Sequence, residues 1–176
     1  MKSIILTLIF LSASVFGQFK SADNYLEPIV GFSFLGSTPQ YGFNYEHTFL
    51  VEREHKIGIG FVARYWKYSE QFVATKTSYV DFLVGVQTNY HFYLRNKRVN
   101  PWIGIVAGYD FGSAKTSWTS EVHPEVVLES PEYGGLMFSV HAGLRYWLSP
   151  NIALSTRIGF GTMSYGALDL GVIFRI

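Results

Sequence analysis

Ser139 and His141 stand two residues apart, so in an extended strand both side chains leave the same face. With Asp81 or Asp110 as a third member they would supply what acyl transfer needs: a hydroxyl nucleophile, an imidazole base and a carboxylate to orient the ring. Such a dyad works only if the two groups come within hydrogen-bond reach and substrate reaches them. Every alternating strand makes pairs of this spacing, so the expectation is that this one does no catalysis. The other histidines, His47 among them, have no metal-ligand spacing. The chain contains no cysteine, which removes thiol nucleophiles, thiolate metal sites and disulfides. "GIG" at 58–60 and "GFG" at 159–161 place glycines at alternate positions, where they pack as small residues of one face rather than cradle a phosphate. No metal or cofactor is expected.

The elements that must carry these residues are strands. Eight stretches alternate with period two, over 28–35, 41–50, 56–68, 79–94, 102–111, 136–147, 152–163 and 167–176. One face is bulky and apolar, as in Ile57, Ile59, Phe61 or Leu168, Leu170, Val172, Phe174. The other is small or polar, as in Gly58, Gly60, Arg64 or Ser155, Arg157, Gly159. A water-soluble barrel turns its bulky apolar side chains inward. Here the bulky face is continuous around eight strands and the charges share the other, so the polar face is read as lining the interior and the apolar face as meeting lipid. Strands of ~9–11 residues cross a bilayer at a tilt, and only a closed ring pairs every backbone group there. The fold class expected is all-β: an eight-stranded antiparallel up-and-down transmembrane β-barrel.

Composition agrees. Aromatic residues make up 18% of the 176, charged residues only 15%, and no later apolar run is long enough for a membrane-spanning helix. Lys2, the apolar stretch 4–16 and "VFG" before Gln18 read as a secretory signal over 1–17. A short periplasmic segment is expected over 18–27 and the barrel over 28–176. Loss of the signal leaves 13 acidic and 13 basic residues, a neutral chain with no field for nucleic acid.

Connections alternate between tight turns at 52–55, 95–100 and 149–151 and more variable loops at 36–40, about 69–78, 112–135 and 163–166. Short turns on one rim and longer loops on the other put the turns in the periplasm. Interfacial girdles are expected from Tyr65, Trp66, Tyr68, Tyr79, Tyr109 and Phe111 at the outer rim, and from Phe49, Phe92, Trp102, Tyr146, Trp147 and Phe174 at the inner.

With these features the sequence resembles the small OmpA/OmpX-like outer-membrane barrels of Gram-negative bacteria, over nearly all of the mature chain. In that group the last strand carries an assembly signal, which Asp169, Gly171, Phe174 and Ile176 match; members often end in Phe, where this chain ends in Ile. The resemblance implies recognition by the barrel-assembly machinery and a setting of outer-membrane lipid and lipopolysaccharide. An outer-membrane lipid A deacylase family uses His and Ser, but Ser139 precedes His141 here and its local motif is not matched.

Eight charges are expected inside: Glu46, Asp81, Asp110 and Asp169 with Arg64, Arg145, Arg157 and Arg175. An eight-stranded lumen is just filled by side chains, so these charges should pair into a network rather than line an ion path. Arg64 is expected to pair with Asp81, and Glu46 with Arg175 or Arg157. Loop 112–135 carries Trp118, Glu121, Glu125, Glu129 and Glu132 and is the candidate surface for an external ligand or protein. The function expected is a non-enzymatic barrel with a polar, side-chain-filled interior, structural or presenting loops for binding or adhesion. The alternatives are a narrow pore or carrier for small or hydrophobic ligands, as in OmpW-like barrels, and a lipid-modifying enzyme.

Overall fold

The computed structural model describes residues 20–51, 55–119, 129–163 and 165–176. The signal expected at 1–17, and Glu121 and Glu125, lie outside them. The strands are β1 (Lys20–Ser33), β2 (Thr38–Val51), β3 (His55–Phe72), β4 (Thr75–His91), β5 (Val99–Asp110), β6 (Ser113–Trp118), β7 (Gly135–Trp147), β8 (Ile152–Gly161) and β9 (Gly166–Arg175). All pairings are antiparallel, and β9 returns to β1 with Phe174 opposite Leu26 and Ala167 opposite Ser33. β5 and β6 both pair with β4, β5 along Leu83–His91 and β6 along Thr75–Val80. They are two halves of one wall strand broken at Phe111 and Gly112, so nine strands make a closed barrel of eight.

Three boundaries differ from expectation. β1 begins at Lys20, eight residues before Pro28, and brings Tyr25 and Glu27 into the interior. The stretch 69–78 is not a loop: β3 and β4 run on to a turn at Val73 and Ala74, with Phe72 opposite Thr75. The first part of the expected loop 112–135 is β6.

The two faces separate as the alternation requires. Phe61 is 60% exposed and Ile105 61%, and apolar side chains of this kind continue round the outside. Such a band is a lipid-facing surface, since in water it would be an aggregation site. The expected girdles are thinner. Tyr65, Tyr109, Phe111, Phe92, Tyr146 and Phe174 do face out, whereas Trp66, Tyr68 and Trp102 are buried inside. Tyr79 stacks on Tyr68 (4.5 Å, 12°), and Trp147 packs on the buried Tyr25. Glycine makes room for these interior groups: a Cβ on Gly143 would stand 2.5 Å from the Trp102 ring.

Candidate functional site: the barrel interior

The interior is layered from the rim that carries both strand termini to the rim that carries the 119–134 connection. Nearest the terminal rim, Asp23 accepts from Lys56 (2.9 Å) and faces the Arg175 guanidinium at 3.4 Å. Arg175 also stacks over Trp147 at 4.3 Å. Above lies the strongest charge cluster. Glu46 pairs with Arg145 through one carboxylate oxygen and meets His91 Nε2 at 2.6 Å through the other. Glu46 and Arg145 are each 2% exposed. Arg145 also lies over the rings of Tyr25 (5.0 Å) and Trp102 (5.9 Å).

At mid-height Arg157 donates to Gln87 (2.8 Å) and Asn44 (3.2 Å) and lies over Trp102. Asn44 donates in turn to Glu27 at 2.7 Å, and Ser155 donates to the other Glu27 oxygen. Arg64 reaches Asp169 at 3.3 Å, and Gln40 donates to the same carboxylate at 2.9 Å.

Two expected pairings are therefore wrong. Arg64 sits opposite Leu83, not Asp81, whose register partner is Trp66. It runs over Gly42 and reaches β9 across two strands; a Cβ on Gly42 would stand 2.7 Å from its Cδ, and one on Gly31 would overlap the Asp169 carboxylate. Glu46 is taken by Arg145 and His91, neither of which was its expected partner, because Arg157 is held by amides and Arg175 lies at the rim.

Asp81 and Asp110 are buried side by side near the loop rim. Both oxygens of Asp81 and one of Asp110 lack a hydrogen-bond partner among the described residues. Tyr133, from the connection before β7, caps this region: its hydroxyl meets that of Tyr68 at 3.1 Å and its ring packs on Tyr79 at 5.0 Å. Burial pushes the Tyr133 phenol up, with the Tyr68 hydroxyl and the Asp81 charge adding to it, so the cap stays neutral. Asp81→Asn, which removes a like charge and adds a donor, is expected to raise stability by about 1 kcal/mol at neutral pH. Urea titration in micelles measures it, and a loss of stability would contradict the account of an unrelieved acid pair.

The interior is expected from sequence to be polar throughout, and it is not. Around Arg64 and on up to the tyrosine cap, Val62, Leu83, Val106, Met137, Tyr165 and Trp66 form one apolar cluster inside the lumen. The void that these apolar side chains share with Arg64, His141 and Arg157 has no room for a water molecule.

No family model and no curated protein matches the sequence. Solved structures do match. The N-terminal β-barrel domain of Pseudomonas aeruginosa OprF is similar at a TM-score of 0.55 and 13% identity, over 89% of this chain and 100% of that one. Ail, the attachment invasion locus protein of Yersinia pestis, in complex with the heparin analogue sucrose octasulfate, is similar at 0.52 and 15%, over 88% and 100%. The fold is that of the small eight-stranded outer-membrane barrels.

Within such a barrel Ser139 and His141 meet one requirement for chemistry and fail the other. Ser139 Oγ lies 2.6 Å from His141 Nε2, within reach, yet both are 4% exposed and point into the lumen. Neither Asp81 nor Asp110 is bonded to the ring, whose Nδ1 has no partner among the described residues. Of the closing-strand residues, Asp169 faces in, Gly171 faces in where β9 meets both Ile29 and Ser155, and Phe174 and Ile176 face out. Of the loop residues described, Glu129 and Glu132 are exposed and Trp118 is half-buried at the end of β6. Among the described residues no group of three or more His, Cys, Asp or Glu could hold a metal.

Proposed function

We propose that this chain is a non-enzymatic barrel of the Gram-negative outer membrane, exported by a cleaved signal over 1–17, that presents its loop rim to partners outside the cell. The lumen carries this proposal: among the described residues, a charge network closed by an apolar layer and a tyrosine cap leaves no path for solute through the barrel. Binding then falls to the connections, which the rigid wall positions. The closing residues Asp169, Gly171, Phe174 and Ile176 serve as the tag for the assembly machinery, and lipopolysaccharide surrounds the outer wall.

The connection after β6 carries Glu121, Glu125, Glu129 and Glu132, with Trp118 at its base. A surface of that charge repels a polysulfate of the kind Ail holds and suits a cationic, partly apolar protein surface. Replacing 119–134 with a short Gly/Ser turn tests this. The intact barrel in nanodiscs should bind an immobilised Lys/Arg-rich peptide, and the shortened barrel should lose it. Equal peptide binding by both, or by neither, would remove the loop from the proposal.

A further inference from the structure

At the rim opposite that loop, connection 92–98 and the end of β9 enclose a cleft with a distinct chemistry. A cavity of about 260 Å³ is lined by Lys56, Lys97, Arg175, Tyr25 and Trp147. A second, of about 440 Å³, adds Arg98 and Leu148 and shares Lys97, Trp147 and Arg175 with the first. The floor is aromatic, with Arg175 stacked on Trp147 and Lys56 over Tyr25 at 5.0 Å. No carboxylate side chain among the described residues lines either cavity, and Asp23 beside them is divided between Lys56 and Arg175. Lys97 and Arg98 are exposed and have no described acidic partner, so cations predominate among the described side chains that line the cleft.

Its lip is apolar. Tyr93 is 71% exposed, and Leu94 and Leu148 stand exposed beside the cations. In a membrane-spanning barrel this rim lies at the level of the lipid headgroups. Cations over an aromatic floor, with an apolar edge on the lipid side, match one ligand: a phosphate on a glycerol whose acyl chains run down the outer wall. We propose that this cleft binds the headgroup of a phosphate-bearing anionic lipid, with Lys97, Arg98 and Arg175 at the phosphate and Trp147 against the glycerol. The proposal rests on the barrel's place in a bilayer and not on the role of the loop rim.

The test is native mass spectrometry of the full chain, released from a neutral maltoside containing equal phosphatidylglycerol and phosphatidylcholine. Folding is checked by heat-modifiable gel migration. The wild type should retain phosphatidylglycerol about tenfold over phosphatidylcholine. Lys97→Glu with Arg98→Glu, both on an exposed connection, should abolish that preference, while Lys76→Glu near the other rim should leave it. No preference in the wild type, or a preference that survives the double change in folded protein, would overturn the site. Displacement of the lipid by inorganic phosphate in millimolar excess would overturn its lipid character and leave a plain anion site. Both results are read without the loop, whose proposal stands or falls separately.

Discussion

Glu46→Gln should destabilise the folded barrel by about 3 kcal/mol, the lower end of what breaking a buried ion pair costs. The change keeps the shape of the side chain and removes only the charge that Arg145 and His91 share. Arg145 is then left buried with the faces of Tyr25 and Trp102 and the more distant Glu27 as its remaining attractions. Those soften the loss but do not replace a carboxylate in direct contact. Removing both charges should cost less than removing one: Glu46→Gln with Arg145→Met deletes the uncompensated cation and fills part of its volume. Urea titration of vesicle-embedded protein, followed by heat-modifiable migration, gives all three values for the coupling. If Glu46→Gln stays within about 0.5 kcal/mol of wild type, Arg145 is hydrated after the change, and water fills the terminal half of the lumen.

How far the sequence showed this arrangement can be traced residue by residue. Face assignment was legible because lipid and lumen demand opposite chemistry at successive positions: Arg64, Asp81, Arg145, Arg157 and Asp169 all lie inside. The start of β1 was not, because its outward positions there include Asn24, which accepts a hydrogen bond from Tyr45 (2.9 Å) and breaks the apolar alternation that marks a strand. Glu27 was lost with it. Pairing was illegible for a different reason. Which charges meet depends on what crosses the lumen, and on glycines such as Gly31 and Gly42 that let a long side chain lie flat over a neighbouring strand. The apolar layer did leave a signal. Phe61-Val62-Ala63, Phe82-Leu83-Val84, Ile105-Val106-Ala107 and Leu136-Met137-Phe138 are unbroken apolar triplets on four strands that pair in series. Where both faces of adjacent strands are apolar at one depth, the lumen is apolar there too. The capping role of Tyr133 had no local signal, since it depends on how the connection folds back over Tyr68 and Tyr79.

That layer leads to the second large effect. Wild-type protein, shown to be folded and inserted in a planar bilayer, should give no discrete current steps. An ion entering from the terminal rim would find polar partners as far as Arg64 and Asp169, where Val62, Leu83, Val106, Met137 and Tyr165 close around Arg64, His141 and Arg157 with no room for water between them. Stripping hydration from an ion in such a layer costs several kcal/mol or more, and hydrophobic constrictions close channels on this principle. The charge network is therefore not the barrier, and Glu46→Gln should remain silent although it is the less stable protein. Leu83→Ser with Met137→Ser should instead admit water to the layer and produce resolvable openings, provided that gel migration shows the double variant still folded, since each truncation costs stability. Steady conductance in the wild type would mean that the layer opens in a membrane. Silence in a folded Leu83→Ser, Met137→Ser barrel would move the barrier up to Trp66 and the Tyr68–Tyr79–Tyr133 cap, and Tyr133→Ala would then be the change that opens it.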